Sequence, residues 1–320
     1  MGRAYLYIAF TNIYFNKLFL LFLITELKTF RKTIFYISIL FNLAILLNYK
    51  YLDFLILSLS NLVFVDLSIE PLNQHLPIGV SFFTFQIISC LVDVYKNNVS
   101  FKKNLINFAL YVSMFPQLVA GPIVRYHQIN EYILKRSHSL SKFSKGVKIF
   151  IVGLFKKVFI ANNLGVFVDY IYSQDSGVFS SETLILCMAA YTLQIYFDFS
   201  GYTDMALGLG KIFGFDLPHN FNEPYKSKSI SEFWRRWHIS LSNFFKEYVY
   251  LPLGGNRLSK LKTYQNLFIV FLFTGLWHGA ALTFIFWGFL NFLFIVFEKI
   301  TNLEEYKRFN FLKRAYFLIA

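Results

Sequence analysis

Long apolar runs are the feature that most constrains the fold of this chain. They recur at lengths of about 15–20 residues, which is what an α-helix needs to cross a bilayer. The runs are continuous rather than alternating, which disfavours a β-barrel. Only 15% of the residues are charged, against about a quarter in a typical soluble domain. We therefore predict an all-α polytopic membrane protein, a helical bundle with about 8–10 membrane-embedded segments that forms a single membrane domain over residues 1–320.

The predicted membrane segments follow from these runs. Some are shorter than about 20 residues, and we expect those to be tilted, re-entrant or buried within the bundle. In chain order the segments are Tyr5–Ile24, Thr33–Leu47, Leu52–Val65, Leu76–Val94, Leu105–Val119, Val147–Ile160, Thr183–Phe197, Tyr264–Trp277 and Ala280–Phe297.

The formal net charge of the chain is +13. In a soluble protein such a charge would favour nucleic-acid binding, but this sequence has no motif that recognises DNA or RNA. Topology explains the charge better, because Lys and Arg concentrate in cytoplasmic loops, next to anionic lipid. We therefore predict that the basic stretches Arg125–Lys148 and Lys226–Lys262 are cytoplasmic, that membrane lipid is a partner, and that nucleic acid is not.

His278 is the first candidate catalytic residue. It lies inside the apolar stretch Leu267–Phe297, between Gly275 and Gly279. An ionisable side chain at membrane depth is costly unless it is used or paired, and histidine suits proton transfer near neutral pH. Two interpretations stay open: a general base that faces an interior cavity, or a buried histidine that is hydrogen-bonded to a neighbouring helix.

A second Trp–His pair, Trp237-His238, lies within Ser231–Arg257. Apolar residues recur here at helical spacing, so we predict a basic amphipathic helix at the cytoplasmic interface, within the amphipathic segment 226–262. Its basic face carries Arg235 and Arg236. This face either anchors the segment on the lipid surface or receives the phosphates of an acyl donor such as a coenzyme A thioester.

Asp198 and Asp204 are two further candidates, in an aromatic and glycine-rich frame that follows the run Thr183–Phe197. Carboxylates at this depth are expected to pair or to line a polar cavity. They could orient a histidine or hold a substrate hydroxyl. The alternative is that they cap a helix break through bonds to the backbone.

The sequence has none of the spacings typical of a metal site, such as HExxH or paired Cys and His. It also lacks the GxSxG nucleophile elbow. We predict no metal and no bound cofactor.

Several stretches together resemble the membrane-bound O-acyltransferase (MBOAT) family, and they look most like its bacterial branch of alginate and peptidoglycan O-acetyltransferases. They run in the family's order and cover most of residues 33–297. The stretches are LPIGVSFFTFQIISCLVDVY (Leu76–Tyr95), FPQLVAGPIVRY (Phe115–Tyr126), YFDFSGYTDMALGLG (Tyr196–Gly210), FWRRWHISLSNFFKEYVYLPLGGNR (Phe233–Arg257) and GLWHGAALTFIFWG (Gly275–Gly288).

The resemblance implies that His278 matches the family's catalytic histidine and His238 its second characteristic histidine. We further predict that Trp237 and Trp277, which precede the two histidines, contact substrate. It implies an MBOAT-like funnel-shaped bundle that is reached from both sides of the membrane. The donor substrate is then acetyl-coenzyme A or another acyl thioester from the cytoplasm. A periplasmic or membrane-anchored esterase-like partner then completes transfer.

The resemblance also bears on length. Relatives carry further helices before the segment that Thr33–Leu47 matches, and more beyond the one that Ala280–Phe297 matches. The chain is therefore expected to be truncated at both ends, as a fragment, a split reading frame or a short variant.

We therefore expect a multi-pass O-acetyltransferase of the bacterial inner membrane. The expected acceptor is a hydroxyl of a cell-envelope polysaccharide, such as alginate, peptidoglycan or another exopolysaccharide. Three alternatives stay open. They are D-alanyl transfer to teichoic acid, a polytopic transporter or polymer-export subunit without catalysis, and a non-catalytic remnant of a truncated gene.

Overall fold

The computed structural model of the chain describes residues 2–24, 28–63, 72, 75–101, 103–118, 120–175 and 177–301. These residues form helices and connecting turns, with no β-strand among them, which confirms the predicted all-α class. The α-helices are α1 (Gly2–Ile24), α2 (Lys28–Leu46), α3 (Leu52–Val63), α4 (Val80–Tyr95), α5 (Leu105–Ser113), α6 (Phe115–Leu118), α7 (Tyr126–Leu134), α8 (Leu140–Phe155), α9 (Asn162–Tyr172), α10 (Ser181–Ile212), α11 (Ile230–Arg236), α12 (Ile239–Phe245), α13 (Lys260–His278) and α14 (Leu282–Thr301). Short π-helical segments lie at Leu47–Tyr51, Lys156–Ala161 and Lys246–Tyr250, and a 3₁₀ turn lies at Pro224–Lys226.

Membrane-crossing length is reached in four helical runs of the described residues. These runs are Phe30–Ser60, Leu140–Tyr172, Ser181–Ile212 and Leu282–Thr301. Two shorter apolar helices, Thr11–Ile24 and Val80–Tyr95, add to them. The chain is therefore a membrane protein by the length and composition of its helices.

Two predicted segments are in fact parts of one helical run. Thr33–Leu47 and Leu52–Val65 were expected as two segments, but the described part of both lies in one continuous run from α2 through the π-helical segment Leu47–Tyr51 into α3. The polar residues between them form no loop, because Lys50 and Tyr51 find hydrogen-bond partners inside the protein. Lys50 and Tyr51 are therefore polar because they form contacts within the protein, and the chain does not reverse direction there.

Other predicted segments begin or end at different residues from the helices in the structure. The segment Leu105–Val119 is divided into α5 and α6, because the chain leaves the helix at Met114, just before Pro116. In contrast, Val147–Ile160 and Thr183–Phe197 lie inside longer helical runs of 33 and 32 residues. A hydropathy pattern detects the apolar part of such a helix and misses its polar ends.

The helices group into two compact units. The first consists of Met1–Ser113, Arg125–His127 and Phe221–Ala320, and the second of Met114–Val124 and Gln128–Asn220. The single membrane domain stays a prediction.

In the first unit, α1 packs on α2, α4 and α5. Buried asparagines join α1 to α2: Asn42 Nδ2 donates to Asn16 Oδ1 of α1 at 2.6 Å, and within α1 Asn16 Nδ2 donates to Asn12 Oδ1 at 2.6 Å. Polar side chains in apolar helices are tolerated when they bond to one another across a helix interface. These bonds explain why asparagines occur in the apolar parts of both helices.

The pair α13 and α14 forms the other part of this unit and carries the candidate histidine. A side chain at Gly275 would overlap the Phe284 carbonyl oxygen, so only glycine permits this approach of the two helices. Trp234 of α11 packs against both helices in a buried cluster with Ile230, Phe271 and Ile295. The close approach of α13 and α14 at Gly275 therefore fixes the position of the end of α13.

The second unit is built on the antiparallel pair α8 and α10. A Cβ on Gly201 would lie 2.8 Å from the Gly153 carbonyl oxygen, so this pair also meets backbone to backbone. Two ion pairs follow along the same contact, Lys156–Asp204 at 2.6 Å and Lys157–Asp198.

Candidate functional site

His278 is the last residue of α13, and Gly279 leaves the helix in an extended conformation. The imidazole is exposed and is surrounded by aromatic rings. Ring centroids lie 4.9 Å away for Trp277, 4.8 Å for Trp287 and 6.4 Å for Phe284. Within the described part of the chain, no group is hydrogen-bonded to its side chain. The described residues thus offer the alternative of a hydrogen-bonded histidine no partner, and the role of His278 stays a prediction.

His238 is the buried counterpart, with 1% of its surface exposed. It stands between α11 and α12 with φ 43° and ψ 53°, the left-handed region that side chains rarely adopt. Such strain persists only where the surrounding structure enforces it, and it is common at functional sites. Burial lowers the pKa of His238, and the nearby His278 acts in the same direction. The neutral imidazole is therefore the form present near neutral pH.

Trp277 brings the two histidines together. Its indole lies 5.6 Å from the His238 ring and 4.9 Å from the His278 ring, centroid to centroid. On its other side it contacts Phe82 at 5.8 Å and Phe85 at 6.1 Å, both from α4. The two Trp–His pairs, far apart in the sequence, thus form one cluster, which we call the His238–Trp277–His278 cluster.

The predicted amphipathic helix is wrong as a single helix. It is broken at Trp237-His238 into α11 and α12, and its N-cap is Ser229, whose side chain accepts from the Glu232 N–H. Its apolar residues pack inside the protein, since Leu241, Phe244 and Phe245 are all buried. Simple anchoring on lipid does not account for this burial.

The start of α11 is held by Glu298 of α14. Its carboxylate is 2% exposed and accepts hydrogen bonds from the backbone N–H groups of Ile230 at 2.5 Å and Ser231 at 2.9 Å. A negative group at a helix N-terminus satisfies N–H groups that lack partners within the helix and is favoured by the helix dipole. This contact fixes the helix that leads to His238. The sequence showed only an acid at the end of an apolar run.

Arg235, Arg236 and Trp237 lie in three different environments. Arg236 donates to Glu232 at 2.9 Å and to the Asn222 carbonyl at 3.1 Å, so it holds the local fold together. Trp237 stacks on Phe233, with ring centroids 5.4 Å apart. Arg235 is exposed and lies on the wall of a cavity.

That cavity has a volume of about 780 Å³ and lies along one face of α13. Lys246 and Lys299 join Arg235 on its wall, whereas Trp234, Phe271 and Ile295 make part of it apolar. Thr274 also lines it, and His278 follows one helical turn later, on the same side of the helix. The cavity therefore lies along α13, the helix that ends at the candidate histidine.

Asp198 and Asp204 belong to the second unit and lie within the uninterrupted helix α10. Lys157 and Lys156 pair with them there, as expected of carboxylates at membrane depth. The alternative of a capped helix break is wrong, because the helix continues to Ile212.

Two residues that sequence reasoning missed are Lys50 and Tyr51. Their side chains donate to the carbonyl oxygens of Trp277 and Leu276, at the end of α13. The available signal is a lysine between two apolar runs, a pattern that equally fits a boundary between segments. Among the described residues no group of three or more His, Cys, Asp or Glu side chains could hold a metal ion.

Comparison with known proteins identifies the family of the chain. Residues 21–314 match the model of MBOAT, the membrane-bound O-acyltransferase family. The chain is 44% identical over 279 residues to the probable alginate O-acetylase AlgI of Pseudomonas putida, covering 86% of this chain and 57% of that protein. It is 39% identical over 299 residues to the peptidoglycan O-acetyltransferase of Helicobacter pylori, covering 83% and 55%.

A more distant relative is the teichoic acid D-alanyltransferase of Bacillus subtilis, 28% identical over 240 residues, covering 68% of this chain and 59% of that protein. The chain spans about half the length of the curated relatives it matches. The family match over most of its length shows that the chain belongs to the membrane-bound O-acyltransferase family.

Proposed function

We propose that this chain carries the catalytic part of an O-acetyltransferase of the bacterial inner membrane, which moves acetyl groups from a cytoplasmic thioester towards hydroxyls of a cell-envelope polysaccharide. The observation that carries the proposal is the His238–Trp277–His278 cluster, together with a cavity with basic and apolar walls along the same helix α13. A transporter without chemistry gives no reason for an imidazole at this point that has no hydrogen-bond partner among the described residues.

His278 acts as the general base. It removes the proton of an acceptor hydroxyl while that oxygen attacks the thioester carbonyl carbon. A carbon–oxygen bond forms and the carbon–sulfur bond breaks. The leaving thiolate then takes the proton from the imidazolium, so the products are an ester and a free thiol. His238, buried and neutral, takes part in binding of the donor or the acceptor through its contact with the Trp277 ring.

The proposed donor is acetyl-coenzyme A or another acyl thioester. A cavity of about 780 Å³ is in the size range of sites for cofactor-sized molecules. Arg235, Lys246 and Lys299 on its wall suit the phosphates of such a donor. The apolar face formed in part by Phe271 and Ile295 suits its uncharged arm. The cavity thus fits both ends of one molecule.

The acceptor class is proposed from the relatives' names. Two of them are named for O-acetylation of alginate and of peptidoglycan, so we propose a polysaccharide hydroxyl, reached directly or through the serine of an esterase-like partner at the periplasmic side. The relative named for D-alanyl transfer is less similar, which makes that reaction the second candidate.

Base-labile acetate in separated peptidoglycan and exopolysaccharide fractions tests the proposal. Cells that carry the native gene are compared with expression-matched His278→Ala and His219→Ala strains. His219 is an exposed histidine outside the cluster and serves as the control. Loss of a general base lowers the rate by about 10²–10⁴-fold, so acetate should disappear from one fraction in the His278→Ala strain alone.

Equal acetate in all three strains would contradict the acetyltransferase assignment. Ester-linked D-alanine is measured in the same fractions, and its loss in place of acetate would assign the chain to D-alanyl transfer instead.

A further inference from the structure

The π-helical segment Leu47–Tyr51 presents two adjacent side chains to the end of α13. Lys50 Nζ donates to the Trp277 carbonyl oxygen, and the Tyr51 hydroxyl donates to the Leu276 carbonyl oxygen at 2.7 Å. The Lys50 ammonium also lies 5.7 Å from the centroid of the Trp277 ring. We infer that Lys50 and Tyr51 are positioning residues that hold the Trp277–His278 end of α13 in place for acyl transfer.

The end of a helix needs such partners. The last four carbonyl groups of an α-helix have no N–H partner within the helix, and here the chain leaves α13 directly after His278. Side chains that donate to two of these carbonyls oppose fraying of the last turn. A cation at a helix C-terminus is also favoured by the helix dipole. Lys50 satisfies both conditions at the residue beside His278.

The local helix geometry supports a functional purpose. A π-helical segment inside an α-helix is uncommon and is frequent at functional sites. Here it lies between α2 and α3, where it directs the ammonium and the phenol to carbonyls of successive residues in α13. Tyr49 of the same segment makes no side-chain hydrogen bond within the described residues. The contact is thus specific to Lys50 and Tyr51.

The consequence for catalysis is geometric. The imidazole of His278 lacks hydrogen bonds of its own to described residues, so its position depends on the last turn of α13 and on the surrounding rings. A displacement of about 1 Å at a reacting group can cost about 100-fold in rate. Lys50 and Tyr51 touch the backbone beside the base rather than the reacting atoms, so they position it and take no part in the bond changes.

This inference rests on the proposed function, and one experiment separates the two. Membranes with the full chain are supplied with radiolabelled acetyl-coenzyme A, and base-labile label is followed to give kcat and KM for the donor. The variants are Lys50→Met, Lys50→Arg and Tyr51→Phe. Tyr49→Phe and Lys260→Met, at the opposite end of α13, are the matched controls. The amount and the thermal stability of folded protein are measured for each in detergent.

Lys50→Met should lower kcat about 10–100-fold with KM unchanged. Tyr51→Phe should lower kcat less, and both should remain folded in normal amount. Lys50→Arg should restore most of kcat, because a guanidinium donates to the same carbonyl. The two controls should match the native protein.

A native kcat in Lys50→Met would overturn the inference, as would a loss that follows unfolding and is not restored by arginine. His278→Ala is measured beside them. If it also keeps its kcat, the proposed function fails. If it alone loses activity, only the positioning role fails.

Discussion

Removal of the Glu298 carboxylate should destabilise the first unit strongly. The side chain is 2% exposed and accepts two backbone hydrogen bonds, from Ile230 and Ser231. A hydrogen bond to a charged group contributes about 1.5–3 kcal/mol, so two contribute about 3–6 kcal/mol in total. Because Ser231 is only half-buried, water can replace part of this after the change. We therefore expect Glu298→Ala to lower the free energy of unfolding by about 3–5 kcal/mol.

Glu298→Gln makes the prediction quantitative. The amide oxygen can accept one of the two hydrogen bonds, and it does so without charge, so the loss should be about 1–3 kcal/mol. Glu131→Ala is the control, because Glu131 is exposed and such changes usually stay within about 0.5 kcal/mol. Unfolding is followed by tryptophan fluorescence during titration of mixed micelles with SDS. Trp234 is a suitable reporter, since its indole donates to Asn291 Oδ1 at 3.1 Å beside the same helix end.

The ranking Ala, then Gln, then native protein is the expected order of increasing stability. Equal stability of Glu298→Ala and the native protein would refute the reasoning, because it would mean that the N-terminus of α11 needs no partner from α14. If Glu298→Gln lowers the free energy of unfolding as much as Glu298→Ala does, the assumption that the two hydrogen bonds contribute independently is refuted.

Two further predictions concern the site itself. Gly275→Ala adds a Cβ that overlaps the Phe284 carbonyl oxygen, so α13 and α14 must separate. We expect the free energy of unfolding to fall by about 1–3 kcal/mol and the rate of acetyl transfer by about 10–100-fold. Gly165→Ala is the control, because its Cβ meets only the Gln194 side chain and should be tolerated in both assays. Arg235→Gln should raise KM for acetyl-coenzyme A about 5–10-fold with little change in kcat, as loss of a phosphate contact in the bound donor predicts; the difference should shrink at high salt, and an unchanged KM would remove Arg235 from the donor site.

The sequence predicted the class of the protein and the identity of its candidate base, for reasons that are local. Apolar length is a property of one segment, and a bilayer imposes it on each spanning helix separately. The cost of an ionisable group in such a segment is equally local, which is why His278 could be selected before any contact was known. The motif order added the family, which the comparisons confirm.

The tertiary structure decided what the periodic pattern could not. The stripe through Ser231–Arg257 predicted one helix, yet the chain is broken at His238. Helical spacing of apolar residues gives no sign of such a break, because the left-handed conformation depends on what surrounds the residue. Here the surroundings are α13 and Trp277, which come from a distant part of the sequence.

Lys50 is a second residue whose role the sequence pattern did not predict and tertiary packing decided. In the sequence, a lysine between two apolar runs indicates a loop, since a charge in a helix interior lacks a partner. Its partner is the Trp277 carbonyl at the end of α13, which is available only because helices end with unpaired carbonyls and because packing brings that end to Leu47–Tyr51. Hydropathy and spacing thus predicted the helical class and selected His278 as the candidate base. Only the packing of the helices decided which side chains contact the end of α13 that carries it.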